Sequence, residues 1–143
     1  MMNAVKSSVQ FLGYRVIDAK YSELDIELPQ NIEFDVSPQF YREILSNGEE
    51  WKIRLGVKIG SDDEQKSPLP FSVTVILEGT FSIEGFEEPD KEKIMKINGT
   101  SIMFPYLRST LSLLMSLANM PPILLPTINL SKTFELENRK DSD

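Results

Sequence analysis

The chain contains no cysteine and no histidine. Without cysteine there is no disulfide framework and no thiolate site. Without histidine as well, the Ser-His-Asp and Cys-His arrangements of nucleophilic catalysis are excluded, and the usual zinc ligands are gone. No Gly-x-x-x-x-Gly-Lys-Ser/Thr loop is present, so nothing marks a phosphate cradle, and an ATP-driven cycle would have to come from a partner. Long apolar runs are missing too. The stretch from Met1 to Arg15 holds none of signal-peptide length. The most apolar region, Leu107 to Leu130, is interrupted by Ser109, Ser112, Asn119 and the Pro121-Pro122 pair. A cytoplasmic location is the expectation. Positive charge is in deficit: 15 Lys and Arg against 22 Asp and Glu leave a net charge of -7. Such a surface disfavours nucleic-acid phosphates and anionic membrane faces.

What is present suits one domain spanning residues 1–143, of ordinary apolar and charged content. Residues 135–143 are strongly charged and are expected to fray into a solvated tail. Carboxylates are the acid-base groups left. Glu84, Glu87, Glu88, Asp90 and Glu92 cluster in one stretch, read as a solvated acidic connection between a strand and a helix. A cation site or a docking patch for a basic partner is the alternative reading. No catalytic residue, cofactor or metal site is nominated, and the chain is read as a non-enzyme.

Alternation predicts four strands. The first spans about Tyr14 to Leu28, with a bend or bulge near Asp18 to Ser22 where the alternation fails. A short second strand carries Ile32, Phe34 and Val36. Phe40 and Tyr41 are read as part of a linker after Pro38. The third strand places Trp51, Ile53, Leu55, Val57 and Ile59 on one face. The fourth does the same with Phe71, Val73, Val75, Leu77, Phe81 and Ile83, and Gly79 interrupts that face as a bulge or a close backbone approach. Polar or Pro-rich links between strands suit antiparallel neighbours. One apolar face per strand implies a sheet covered on one side.

The covering element is predicted to be a helix that starts at Pro105 and ends before Pro121-Pro122. Leu107, Leu111, Leu114 and Ala118 make one stripe, Tyr106, Leu113 and Leu117 a second, and Ser109, Ser112 and Ser116 a narrow third. A helix apolar over so wide an arc needs cover on more than one side, and the chain has little left to supply it. Self-association through this helix follows. The loop Met120 to Leu130 is likewise too apolar for a solvated connection: protein must cover it, or it must cover something. Trp51, Phe71 and Phe81 are assigned to the core. For Phe34, Leu124, Leu125, Leu130 and Phe134 two readings stand, plain packing and the binding of another chain.

Three motifs carry a resemblance. Gly79-x-Phe81-x-Ile83-x-Gly85, Ile102-x-Phe104-Pro105-Tyr106-x-Arg108, and the set Pro121, Leu125, Pro126, Asn129 resemble, in order and spacing, the SecB family of protein-export chaperones. The resemblance implies an α+β fold: a four-stranded antiparallel sheet with one face covered by a long helix, and a short C-terminal helix. It implies a cytoplasmic homotetramer, a dimer of dimers whose grooves hold unfolded polypeptide without ATP and pass preproteins to the translocase ATPase. Carried over, Tyr106, Ser109, Leu113, Ser116 and Leu117 would form the oligomer interface, and Phe34, Leu124, Leu125, Leu130 and Phe134 would bind the client. One departure weighs against docking to that ATPase. Where such family members present Leu-x-Glu on the strand before the glycine motif, this chain has Ser72 and Thr74, and Lys20 falls near an expected acid. A dedicated SecB-like chaperone for an antitoxin, or a non-catalytic oligomeric interaction module, are the alternatives.

Overall fold

The computed structural model describes residues 8–24, 37–61 and 69–121, together with 123, 125 and 134. Among these, four strands form one antiparallel sheet: β1 (Ser8–Glu23), β2 (Gln39–Ser46), β3 (Glu50–Ile59) and β4 (Phe71–Glu84), in the order β1-β4-β3-β2. The strands β3 and β4 lie in the middle and carry the alternation expected of them. Their inward residues, from Trp51 to Ile59 and from Phe71 to Ile83, are buried.

The two edge strands differ from expectation. β1 begins at Ser8, earlier than its alternation suggests, and is broken by irregularities between Phe11 and Gly13 and between Val16 and Asp18. The second lies at the upstream edge of the stretch where the alternation fails. Leu12 and Ile17 are the extra residues, and both are exposed. The second strand of the sheet is Gln39–Ser46, so Phe40 and Tyr41 are strand and not linker. Its inward positions read Phe40, Arg42, Ile44, opposite Val57, Leu55 and Ile53. The cation in the middle of that face breaks the apolar alternation and hides the strand. The strand expected at Ile32 to Val36 and the short C-terminal helix lie outside the described residues, apart from the single position Phe134.

The helix also starts earlier than Pro105. It begins as α1 (Glu88–Ile94), passes through one π-helical turn at Met95–Gly99, and continues as α2 (Thr100–Leu117). Ile94, Met95, Gly99 and Thr100 all keep right-handed helical angles, so the three pieces form one rod. Pro89 occupies its first turn, the place the sequence reading gave to Pro105. Glu88 and Asp90 sit in that turn, where acids favour the positive end of the helix dipole. The acidic stretch is thus largely a helix start. Pro105 lies inside the helix on an exposed position, and Ser101 one turn back is exposed as well, so the carbonyl left without a donor meets water.

The rod packs on the inner face of β3 and β4. Two glycines let it come close. A Cβ on Gly79 in β4 would collide with Met103 Sδ, and one on Gly99 would collide with the tip of Ile53. Gly79 is therefore the close approach, not a bulge; its register with Tyr14 and Ile53 is regular.

On the outer face one carboxylate ties three strands. Glu78 of β4 stands between Arg15 of β1 and Arg54 of β3 in the pairing register. It accepts hydrogen bonds from Arg54 Nε at 2.8 Å and Arg15 Nε at 3.2 Å, with Lys52 Nζ at 3.7 Å. These side chains cover it to 2% exposure. The bond from Arg54 leads in holding the Glu78 carboxyl below the ordinary glutamate range; burial opposes it, and Arg15 and Lys52 add to the lowering.

Two outcomes follow. Gly79→Val raises local strand propensity, yet overpacking against Met103 is expected to cost about 1–3 kcal/mol. Urea unfolding followed by emission of the single tryptophan, Trp51, measures it, and an unchanged midpoint would contradict the close approach. A carboxylate lowered by folding stabilises the folded state above its unfolded value near pH 4.3, and that contribution is lost as pH falls through its folded value. Wild-type stability should decline below about pH 4 by more than that of Glu78→Gln, which at neutral pH should already be about 1–3 kcal/mol less stable.

Candidate functional site

Helix α2 presents three faces, since successive residues turn by about 100°. Met103, Phe104, Leu107, Leu111 and Met115 share a broad arc and are buried. Tyr106, Leu113 and Leu117 share a second arc and remain exposed, Leu113 at 61% and Leu117 at 76%. Ser109 and Ser116 are exposed beside them. Pro105, Arg108, Ser109 and Ser112 make a third arc. With Ile123 and Leu125, beyond the end of the helix, they are the described residues that line a cleft of about 530 Å³. Ser109 belongs to the border of the second and third arcs.

The exposed second arc continues onto the sheet. The β1 register puts Phe11, Tyr14 and Val16 on the helix side, opposite Phe81, Gly79 and Leu77. The Tyr14 ring lies 4.7 Å from that of Tyr106, and the Phe11 ring 5.5 Å from it. Tyr14 and Val16 are themselves exposed. Residues Tyr106, Leu113 and Leu117 are thus joined by two β1 residues that sequence reasoning missed. The missing signal was register: only the bulges reveal which side of β1 faces the helix.

The client-binding candidates divide. Phe34, Leu124 and Leu130 lie outside the described residues. Leu125 is 3% exposed and Phe134 8% exposed, both within the apolar cluster of the chain itself. Leu125 also meets the cleft beside α2. Phe134 lies under Arg42, whose guanidinium carbon is 4.4 Å from the ring centroid. Arg42 also donates to the Lys96 carbonyl at 2.9 Å and to Thr100 Oγ1 at 3.3 Å. This one side chain joins β2, the π-helical turn and Phe134. Partial burial lowers its pKa, although guanidinium stays protonated throughout the physiological range. Among the described residues no three carboxylates converge on a metal-sized site, and no helix is long and apolar enough to cross a membrane.

Comparison with known proteins agrees with this architecture. Residues 25–141 match the family described as preprotein translocase subunit SecB, and the chain belongs to the SecB family. A protein-export protein SecB of Anaplasma phagocytophilum is 35% identical over 46% of this chain and 43% of its own length. That of Aromatoleum aromaticum is 29% identical over 92% of this chain and 80% of its own. The chain spans about half the length of several curated relatives that it matches. Among solved structures, the SecB-like chaperone of Mycobacterium tuberculosis, in complex with a ChAD peptide from the HigA1 antitoxin, superposes with a TM-score of 0.67. It is 13% identical, over 84% of this chain and 90% of that one, a likeness of fold.

The Arg42 junction has its own test. Arg42→Ala removes two hydrogen bonds and a cation–π contact and is expected to cost about 1–3 kcal/mol in urea unfolding. Arg42→Lys should restore only part of this, because a single ammonium cannot both stack on Phe134 and reach two acceptors in a planar fork. Wild-type stability in both variants would show that the junction carries no weight.

Proposed function

We propose that this chain is an ATP-independent holdase that assembles with copies of itself in the cytoplasm and keeps unfolded polypeptide from aggregating. The observation that carries the reading is the uncovered second face of α2. Leu113 and Leu117 alone would each gain roughly 1.5–3 kcal/mol on full burial, and Tyr106, Tyr14 and Val16 extend the same surface. A long helix backed by a sheet on one side and open on the other suits a partner subunit placed on the open side. Tyr106, Ser109, Leu113, Ser116 and Leu117 are assigned to that interface, in a tetramer built as a dimer of dimers. Membership of the SecB family supports the same assembly and the same duty.

Client binding is assigned to Phe34, Leu124 and Leu130; Leu125 and Phe134, the other two candidates, are buried in the chain's own apolar cluster, which favours the packing reading for them. The work is done without chemistry. Apolar client side chains leave water, and much of the gross gain is offset by ordering the client. Apolar contact alone discriminates little between clients, so any dedication to one client has to come from groups outside the apolar surface. No catalysis is involved, and the missing histidine and cysteine fit that reading.

A specific observation favours a duty other than handover to the translocase ATPase. Thr74, at a position where such family members carry an acid, is paired in register with Lys20 on one side and Lys58 on the other. Ser72, the second altered position, is buried. The outer sheet face here is flanked by cations, the reverse of an acidic docking patch. A dedicated chaperone for one client, such as an antitoxin, is the reading this supports.

Light scattering of the purified chain should give a tetramer, and Leu113→Glu with Leu117→Glu should reduce it to smaller species with the far-ultraviolet circular dichroism retained. Wild-type protein should suppress aggregation of a chemically denatured protein diluted into buffer. Failure to suppress it, together with no binding of unfolded chain, removes the holdase assignment.

A further inference from the structure

The outer face of the sheet gathers positive charge that the fold itself uses only in part. The pairing register sets Lys20, Thr74 and Lys58 in one row across β1, β4 and β3, and Arg15, Glu78 and Arg54 in another. Lys52 follows Arg54 on the same face of β3. Five of the 15 cations of a chain with net charge -7 therefore stand on three adjacent strands. The acid at their centre, Glu78, is hidden beneath Arg15, Lys52 and Arg54, so an approaching molecule meets the cations. Arg15 keeps 68% of its side chain exposed even while it holds Glu78. Lys20 and Lys58 are exposed, and among the described residues no carboxylate pairs with either. The other described acids of this face are displaced from the two lysines, apart from Asp18, two residues from Lys20. Glu50 and Glu84 lie at the far end, and Glu43 is on the edge strand β2, where Tyr41 donates to it. Between the two rows the floor is low. Gly56 has no side chain, and Ile76 occupies the space a Cβ there would need.

We propose that the outer sheet face docks an extended acidic segment of a partner protein, laid along β4 between the cations of β1 and those of β3. The inference stands on the sheet's charges and not on the holdase reading, and the partner it calls for is distinct from an unfolded client. The geometry is periodic. Lys52, Arg54 and Lys58 follow one another at i, i+2 and i+6 on one strand. Successive same-face positions on a strand are about 7 Å apart, and alternate residues of any extended segment repeat at that same distance. A segment with acids at alternate positions therefore meets the β3 column and the β1 pair with one carboxylate per cation. The guanidinium groups of Arg15 and Arg54 still have N–H donors beyond those spent on Glu78, and these match a carboxylate fork. The Thr74 hydroxyl, between Lys20 and Lys58, can donate to the same groups or to partner backbone. Low relief between the rows suits a flat, extended segment and gives no pocket for a small molecule. The overall negative charge disfavours a long polyanion, whose phosphates would reach past the patch to the acids around it. A short acidic segment stays within the patch. This face is opposite the helix, so it is separate from the surface assigned to self-association.

The test uses the full chain and fluorescent peptides of about ten residues that alternate Glu with Ser or Thr, beside the same peptides with Gln for Glu. Anisotropy titrations should show the Glu peptide binding about tenfold or more tightly than the Gln peptide, since several weak exposed ion pairs act together. Added salt should narrow that gap. The double variant Lys20→Glu, Lys58→Glu changes two exposed side chains and leaves the cations around Glu78 in place. It should abolish the gap, with the light-scattering mass and the suppression of client aggregation unchanged. A saturating denatured client should leave the Glu peptide's affinity as it was. Equal affinity for the Glu and Gln peptides on wild-type protein overturns the proposal and leaves the holdase reading standing. A gap that survives in the double variant overturns the assignment to this face. Competition by the denatured client would put the peptide on the client surface and overturn it as well. A single-stranded oligonucleotide of equal charge that binds as tightly as the Glu peptide would make the patch a general polyanion site and overturn the choice of partner. A changed oligomer mass in the double variant would make the face an interface between copies, with the same consequence.

Discussion

The structure depends on how closely one helix lies on one sheet. Gly79 and Gly99 remove the two side chains that would hold the rod away, and Met103 and Ile53 fill the space they leave. That contact buries Met103, Phe104, Leu107, Leu111 and Met115 along one arc of α2, with Met95 beneath the π-helical turn. It also settles what remains outside. A helix seated on β3 and β4 turns Tyr106, Leu113 and Leu117 away from its own core, over the edge where β1 lies. The unused apolar face is a geometric consequence of the seat.

Among the described residues, the charged groups are arranged around that seat without entering it, apart from Arg42. Glu78 gathers Arg15, Lys52 and Arg54 on the outer face and ties the edge strand β1 to the centre of the sheet. Arg42 is the exception on the inner face, and it is tolerated because the π-helical turn offers the Lys96 carbonyl and Phe134 offers its ring. A buried cation without such partners would be costly. The same junction holds Phe134 against β2 by a cation–π contact within an apolar setting.

Much of the candidate site was legible in residues alone. The stripe Tyr106, Leu113, Leu117 follows from helical spacing, and the three motifs from Gly79 to Asn129 point to the family. The strands β3 and β4 were legible because both are central and alternate strictly. β2 was hidden by Arg42 at its inward centre, and the helix start was hidden because acids and Pro89 read equally well as a loop. Tyr14 and Val16 escaped because two bulges shift the phase of β1, and alternation counted along the chain loses track of the face after each one. Arg108 was visible within its motif, but nothing local shows whether a cation on a helix meets water, an acid or a cleft.

The sequence by itself determined the class of the fold, the family, the absence of thiol and imidazole chemistry, and the presence of more apolar helix than one sheet face needs. These follow from composition and period, which are properties of order along the chain. Tertiary structure alone decided which arc of that helix is spent on the core, which lies open beside β1, and which borders a cleft. It also decided that Gly79 serves close packing and that Glu78 binds three strands together. Each of those outcomes is a contact between residues far apart in sequence, set by register and by the depth at which the helix sits, and local pattern carries no measure of either.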